Sequence, residues 1–123
     1  MIPITKPCVG EEEARAAAEA VLSGWLSQGQ RVQAFETAVA EYVGAKHAIA
    51  TSNCTTALHL ALLAAGVGPG DEVICPSFSF IATANAVVHA GATPVFVDID
   101  RRTYNIDKEL IEAAITRRTK AII

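Results

Sequence analysis

Ser52, Asn53, Cys54, Thr55 and Thr56 set five small, largely polar residues in a row between an apolar run and a helical pattern. Such a row has the chemistry to hold an anion. Residues 47–65, HAIATSNCTTALHLALLAA, read as a short apolar strand over 47–51, a tight polar corner at 52–54, and a helix opening at Thr55 or Thr56 with Leu58, Leu62 and Ala65 on one face. A strand that turns sharply into a helix aims several unpaired backbone N–H groups at one spot, with the positive end of the helix dipole behind them. A phosphate fits there. The two threonine hydroxyls add donors, and the dipole contributes on the order of 0.3–2 kcal/mol. The same residue types also cap helices with no ligand present, which is their commoner use.

A second corner carries different chemistry. Ser77, Phe78, Ser79 and Phe80 follow the short strand at 72–75 and Pro76, and open another helix. A phosphate cradle at one strand end and an aromatic ring at the next would hold one flat, phosphorylated molecule, with Phe80 against its ring and Thr55 and Thr56 on its phosphate. A nicotinamide dinucleotide fits less well, because the first corner has no glycine where a G-x-G-x-x-G fingerprint needs three. The loop at 25–29 brings together Trp25, Ser27 and Gly29, which suit a binding-site wall, although the commoner use of such a tryptophan is as a core anchor.

Alternating strands and helices must position these corners. Glu11, Glu12 and Glu13 occupy the first turn of a helix that continues to about residue 23. A second helix over 30–43 spaces Val32, Phe35, Val39 and Tyr42 along one face. After the first corner and its helix come a strand at 72–75, a helix at 81–90 and a strand at 94–99. Asp107 then caps a helix with Leu110, Ile111, Ala114 and Ile115 as its stripe, and residues 120–123 begin a further strand. This order predicts an α/β fold: a mostly parallel sheet with right-handed crossovers and helices on both faces. Ligands of such sheets gather beyond the carboxyl ends of the strands, where both corners fall.

Composition limits the partners. The chain has 123 residues, about one domain, and 51% of them are apolar, enough for a sizeable core. The net charge of -3, with no basic run longer than a pair, argues against nucleic acid and anionic membrane. The start lacks the basic and apolar regions of a secretion signal, and no apolar stretch approaches the length of a membrane span, so a cytoplasmic location is expected. Cys8, Cys54 and Cys75 are far apart, and His47, His59 and His89 share no ligand spacing with them. Neither a disulfide framework nor a metal site is expected.

The ordered segments GWLSQG, AEYVGAKHAIATSNCTTALHLAL, GPGDEVICPSFSFIATANAV, GATPVFVDID and ITRRTKAII closely resemble the amino-terminal part of the DegT/DnrJ/EryC1/StrS family. Its members are pyridoxal-phosphate-dependent aminotransferases of nucleotide-linked keto sugars, and the wording is most similar to the perosamine synthase-like members. The resemblance covers essentially the whole chain. It implies the large domain of a fold type I aminotransferase, incomplete here. Residues 1–30 would be an amino-terminal helix and active-site loop, and residues 31–123 the first part of the cofactor-binding domain. It also implies a homodimer, a nucleotide-sugar substrate and an amino donor such as glutamate.

By position, the resemblance assigns Thr55 and Thr56 to the cofactor phosphate and Phe80 to the pyridine ring. Cys54, in the same cradle, departs from the glycine or other small residue of many members, and would be strained if the backbone there took a positive φ. Ser27 and Gly29 match a loop near the substrate. The Schiff-base lysine and the acid that protonates the pyridine nitrogen are expected beyond Ile123, since Lys6, Lys46, Lys108 and Lys120 fall in other motifs and Asp98 and Asp100 match the VDID turn. The fragment alone is therefore expected to be inactive. A dehydratase of the same family, with histidine in place of that lysine, and a non-catalytic partner subunit are the alternatives.

Overall fold

The structure is a computed structural model that describes residues 2–3 and 5–123. Its contacts group the chain into two compact units, Met1–Ala50 and Thr51–Ile123.

In the first unit, helix α1 (Glu11–Leu22) begins with the three expected glutamates, and Glu13 reaches back so that its carboxylate accepts the Gly10 N–H at 2.7 Å. That bond holds the Glu13 carboxyl below its ordinary pKa. Helix α2 (Gln30–Val43) stops at Gly44, whose φ of 68° only glycine adopts without steric cost. Phe35 and Tyr42 of its apolar stripe are exposed, so the stripe marks what the helix is able to bury. The strand expected at 47–51 is absent as a ladder. An apolar run becomes a strand only where a neighbour offers paired N–H and C=O groups, and no described residue does so here. Instead the Ala50 N–H donates to the Glu36 carboxylate at 2.8 Å.

The second unit runs α3 (Cys54–Ala64), β1 (Glu72–Pro76), α4 (Ala82–His89), β2 (Thr93–Val97), α5 (Lys108–Ala114) and β3 (Thr119–Ile122). Asp107 caps α5 as expected, its carboxylate accepting the Glu109 N–H. The three strands are parallel in the order β2-β1-β3. β1 lies between two partners and reads as an unbroken buried run, as central parallel strands do. Val73 and Cys75 turn one way into a cluster with Leu62 of α3 and Ala86 and Val87 of α4. Alternation sends Ile74 to the opposite face, where it too is fully buried. The ladder to β3 slips once: Glu72 faces Thr119, but Val73 faces Ala121 and Ile74 faces Ile122, leaving Lys120 without an opposite number.

Glu72, buried at the start of β1, accepts a hydrogen bond from the Thr116 hydroxyl at 2.6 Å and pairs with Arg118. The Thr116 bond chiefly, and then Arg118, hold its carboxyl below the ordinary value against the opposing effect of burial. A depressed folded pKa stabilises the fold above the ordinary glutamate range, and the contribution disappears as pH falls through the lowered value. Glu72→Gln is therefore expected to lower Tm at pH 7 and to flatten its fall below about pH 4, the unperturbed glutamate range. Thermal melts at several pH values read both effects, and parallel curves for the two proteins would contradict them.

Candidate cofactor and substrate corners

Both sequence-predicted corners lie in the second unit, each at the start of a helix. Because α3 and α4 pack against each other, one helix pair carries both corners. The first is built on Asn53. Its side-chain oxygen accepts the Thr56 N–H at 2.9 Å and the Thr56 hydroxyl at 3.1 Å, while Thr51 donates to its carbonyl at 2.9 Å. Ser52 lies 3.3 Å from Thr56 Oγ1.

These bonds separate the two threonines. The N–H and hydroxyl of Thr56 belong to the cap. The N–H groups of Cys54 and Thr55 donate to no acceptor among the described residues, and the Thr55 hydroxyl has no described partner. Helix α3 opens at Cys54, one or two residues before the start expected at Thr55 or Thr56. Cys54 is exposed in the first helical turn and carries no positive φ, since Tyr104 is the one described non-glycine residue that does. The strain anticipated for a cysteine in the cradle is not present.

Asn53, Thr55, Thr56, His59 and His89 line an open depression of about 370 Å³. It holds no carboxylate, which suits an anion. His59 and His89 meet edge to face across the two helices at 5.8 Å, a pairing that their spacing in the sequence gives no sign of. Among the described residues no group of three metal-ligating side chains forms.

At the second corner the Ser77 N–H donates to the Val97 carbonyl at 2.8 Å and the Ser77 hydroxyl to Asp98 at 3.2 Å. Ser79 and Thr83 share a hydroxyl hydrogen bond at 2.8 Å that fixes the entry to α4. Phe80 follows, 78% exposed and free to meet a ligand.

Ser27 and Gly29 fall in the first unit. With Trp25, Gln30, Arg31 and Val32 they line a cavity of about 350 Å³. Trp25 is 65% exposed and anchors no core. Its ring instead folds over its own loop, the indole N–H donating to the Gln28 carbonyl at 3.0 Å. That fold explains Gly29, where a Cβ would come within 2.6 Å of the indole Cδ1. Gly29→Ala is expected to expel the ring and open the cavity. Trp25 is the single tryptophan of these 123 residues, so the emission they contribute should shift to the red, and an unchanged spectrum would show that the loop accommodates the methyl group.

The sequence model of the DegT/DnrJ/EryC1/StrS aminotransferase family matches residues 7–123. The chain belongs to that family.

Among curated relatives of this DegT/DnrJ/EryC1/StrS member, the spore coat polysaccharide biosynthesis protein SpsC of Bacillus subtilis is 54% identical over 99% of the chain and 31% of its own length. GDP-perosamine synthase of Caulobacter vibrioides is 52% identical over 99% of the chain and 33% of its own length. The chain thus spans about a third of the curated relatives it matches. Solved aminotransferase structures superpose closely. Spr1654 of Streptococcus pneumoniae in PLP-form gives a TM-score of 0.90 at 37% identity, covering 98% of this chain and 31% of that one. An aminotransferase of Psychrobacter cryohalolentis gives 0.89 at 44% identity, with 98% and 31% covered. The expected fold class, a parallel-sheet α/β piece of a PLP-dependent aminotransferase, is what these structures share with the chain. No helix among the described residues is long and apolar enough to cross a membrane.

Proposed function

We propose that the protein carrying this chain is a pyridoxal-phosphate-dependent aminotransferase that moves an amino group from glutamate to a nucleotide-linked keto sugar. The observation that carries this reading is a family match over nearly the whole chain, joined to an α3 opening with unused N–H donors. Pyridoxal phosphate, when bound, supplies an electron sink for amino-group chemistry. This chain's part is to bind and orient. The Cys54 and Thr55 N–H groups and the Thr55 hydroxyl take the phosphate, Asn53 keeps those donors convergent through its bonds to Thr56, and Phe80 lies against the ring. Thr56 serves the phosphate through the cap, and Ser27 and Gly29 are assigned to substrate binding.

The covalent lysine is assigned outside these residues. Lys120 sits in the β3 irregularity and Lys108 begins α5, away from both corners in the chain. The working unit is a cytoplasmic homodimer, and residues 31–123 are the start of its cofactor-binding domain. The test uses the protein expressed from its complete gene, incubated with pyridoxal phosphate, glutamate and a nucleotide-linked 4-keto-6-deoxyhexose. Formation of the amino sugar, with one lysine linked to the cofactor after borohydride reduction, is the expected result. Loss of a sugar hydroxyl without amination, with histidine at the lysine position, would identify a dehydratase. Failure to bind the cofactor would leave a non-catalytic partner.

A further inference from the structure

We infer that Asp98 and Tyr104 are positioning residues for Phe80, so that the loop after β2 sets the aim of the corner after β1. The inference rests on the proposed role of Phe80 at a cofactor ring. Each of the three residues before Phe80 is tethered. Ser77 bonds to Val97 and Asp98, Phe78 lies 6.0 Å from the Tyr104 ring at 45°, and Ser79 bonds to Thr83. The first two tethers come from the end of β2 and the loop that follows it.

That loop is built to resist movement. Ile99 and Ile106 close it with an antiparallel bridge, and the Asp100 N–H donates to the Asn105 carbonyl at 2.9 Å. The Asp100 carboxylate accepts the Arg102 and Thr103 N–H groups at 2.7 and 3.1 Å. Asp98 accepts the Ile99 N–H at 2.8 Å with the same oxygen that takes the Ser77 hydroxyl, and its carbonyl accepts the Asp107 N–H.

Tyr104 occupies the left-handed region at φ 59°, a conformation that glycine or asparagine adopts at less cost. A tyrosine there is accounted for by what its ring reaches. Phe78 and Tyr104 are 67% and 63% exposed, so their contact adds little to the core. Its effect is directional, because it holds the residue two before Phe80 while leaving the Phe80 ring itself open.

The test compares wild type with Tyr104→Gly, which suits the backbone angle and removes the ring, and with Tyr104→Phe, which keeps the ring. All are made in the protein from its complete gene. Pyridoxal phosphate is titrated by fluorescence, and inorganic phosphate is used as competitor. The glycine variant is expected to bind pyridoxal phosphate about three- to tenfold more weakly, the value of one aromatic contact. Its dissociation constant for inorganic phosphate, derived from the competition, should be unchanged, and the phenylalanine variant should match wild type. Equal weakening toward inorganic phosphate, or an unchanged affinity for pyridoxal phosphate, overturns the inference. Should Tyr104→Gly not accumulate, Asp98→Ala is judged by the same two titrations. A wild type that binds no pyridoxal phosphate overturns the proposed function and this inference together, whereas a binding wild type with insensitive variants overturns this inference alone.

Discussion

Thr55→Val is expected to weaken pyridoxal phosphate binding by about 10- to 100-fold, the value of one hydrogen bond to a charged group, with little change in Tm. The Thr55 hydroxyl has no described partner, so folding loses nothing when it goes. Valine also keeps the branched shape. Thr56→Val should behave in the opposite way, because its hydroxyl is held by Asn53 at 3.1 Å and lies 3.3 Å from Ser52. Its loss loosens the cap that aims the donors, so Tm falls and affinity follows less steeply. Titration and melting of both variants decide the matter. Equal losses of affinity with unchanged melting would mean that the two threonines meet the phosphate alike, and that the cap bonds are not what distinguishes them.

Ile74→Ala is expected to cost about 2–5 kcal/mol of stability, as large truncations in well-packed cores do. Ile74 is fully buried on the central strand, and the groups around it are fixed by ladders on both sides. Ile122 faces it across the β1 to β3 ladder and is half exposed, so Ile122→Ala should cost far less. Chemical denaturation of the two variants gives the comparison, and similar midpoints would show that burial on β1 is not what sets the core's stability.

The helices were legible because their signals are local. Three glutamates open α1, Asn53 and Asp107 cap α3 and α5, and Gly44 stops α2, each acting within one turn. The parallel strands were legible because glycine and turn residues bracket short apolar runs. Residues 47–51 share that pattern and still form no ladder, since pairing depends on what lies alongside and not on the run itself. Trp25 stays out of a core for a similar reason. Its apolar ring suits a core, yet a glycine four residues later gives the ring a nearer place to lie.

The site was partly legible. The two corners could be read from residue types, but the division of labour between Thr55 and Thr56 is set by which hydrogen bonds Asn53 makes. Tyr104 left no trace in the sequence, because tyrosine is not a residue that announces a left-handed turn. Its link to Phe78 spans 26 positions of chain and appears only once both loops are folded, as does the pairing of His59 with His89.

The slip at Lys120 bears on how such a chain tolerates changes of length. Were Lys120 deleted, Thr119 would still face Glu72 and Ala121 would still face Val73, and the ladder would become regular. Ala121 and Ile123 would keep their places against the cluster around Val73 and Cys75. Removing Ala121 instead would also make the ladder regular, but it would set Lys120 opposite Val73, where its charged side chain would meet the apolar cluster. The position of Lys120 is thus one where the chain can lose a residue without disturbing the order of the sheet beyond it.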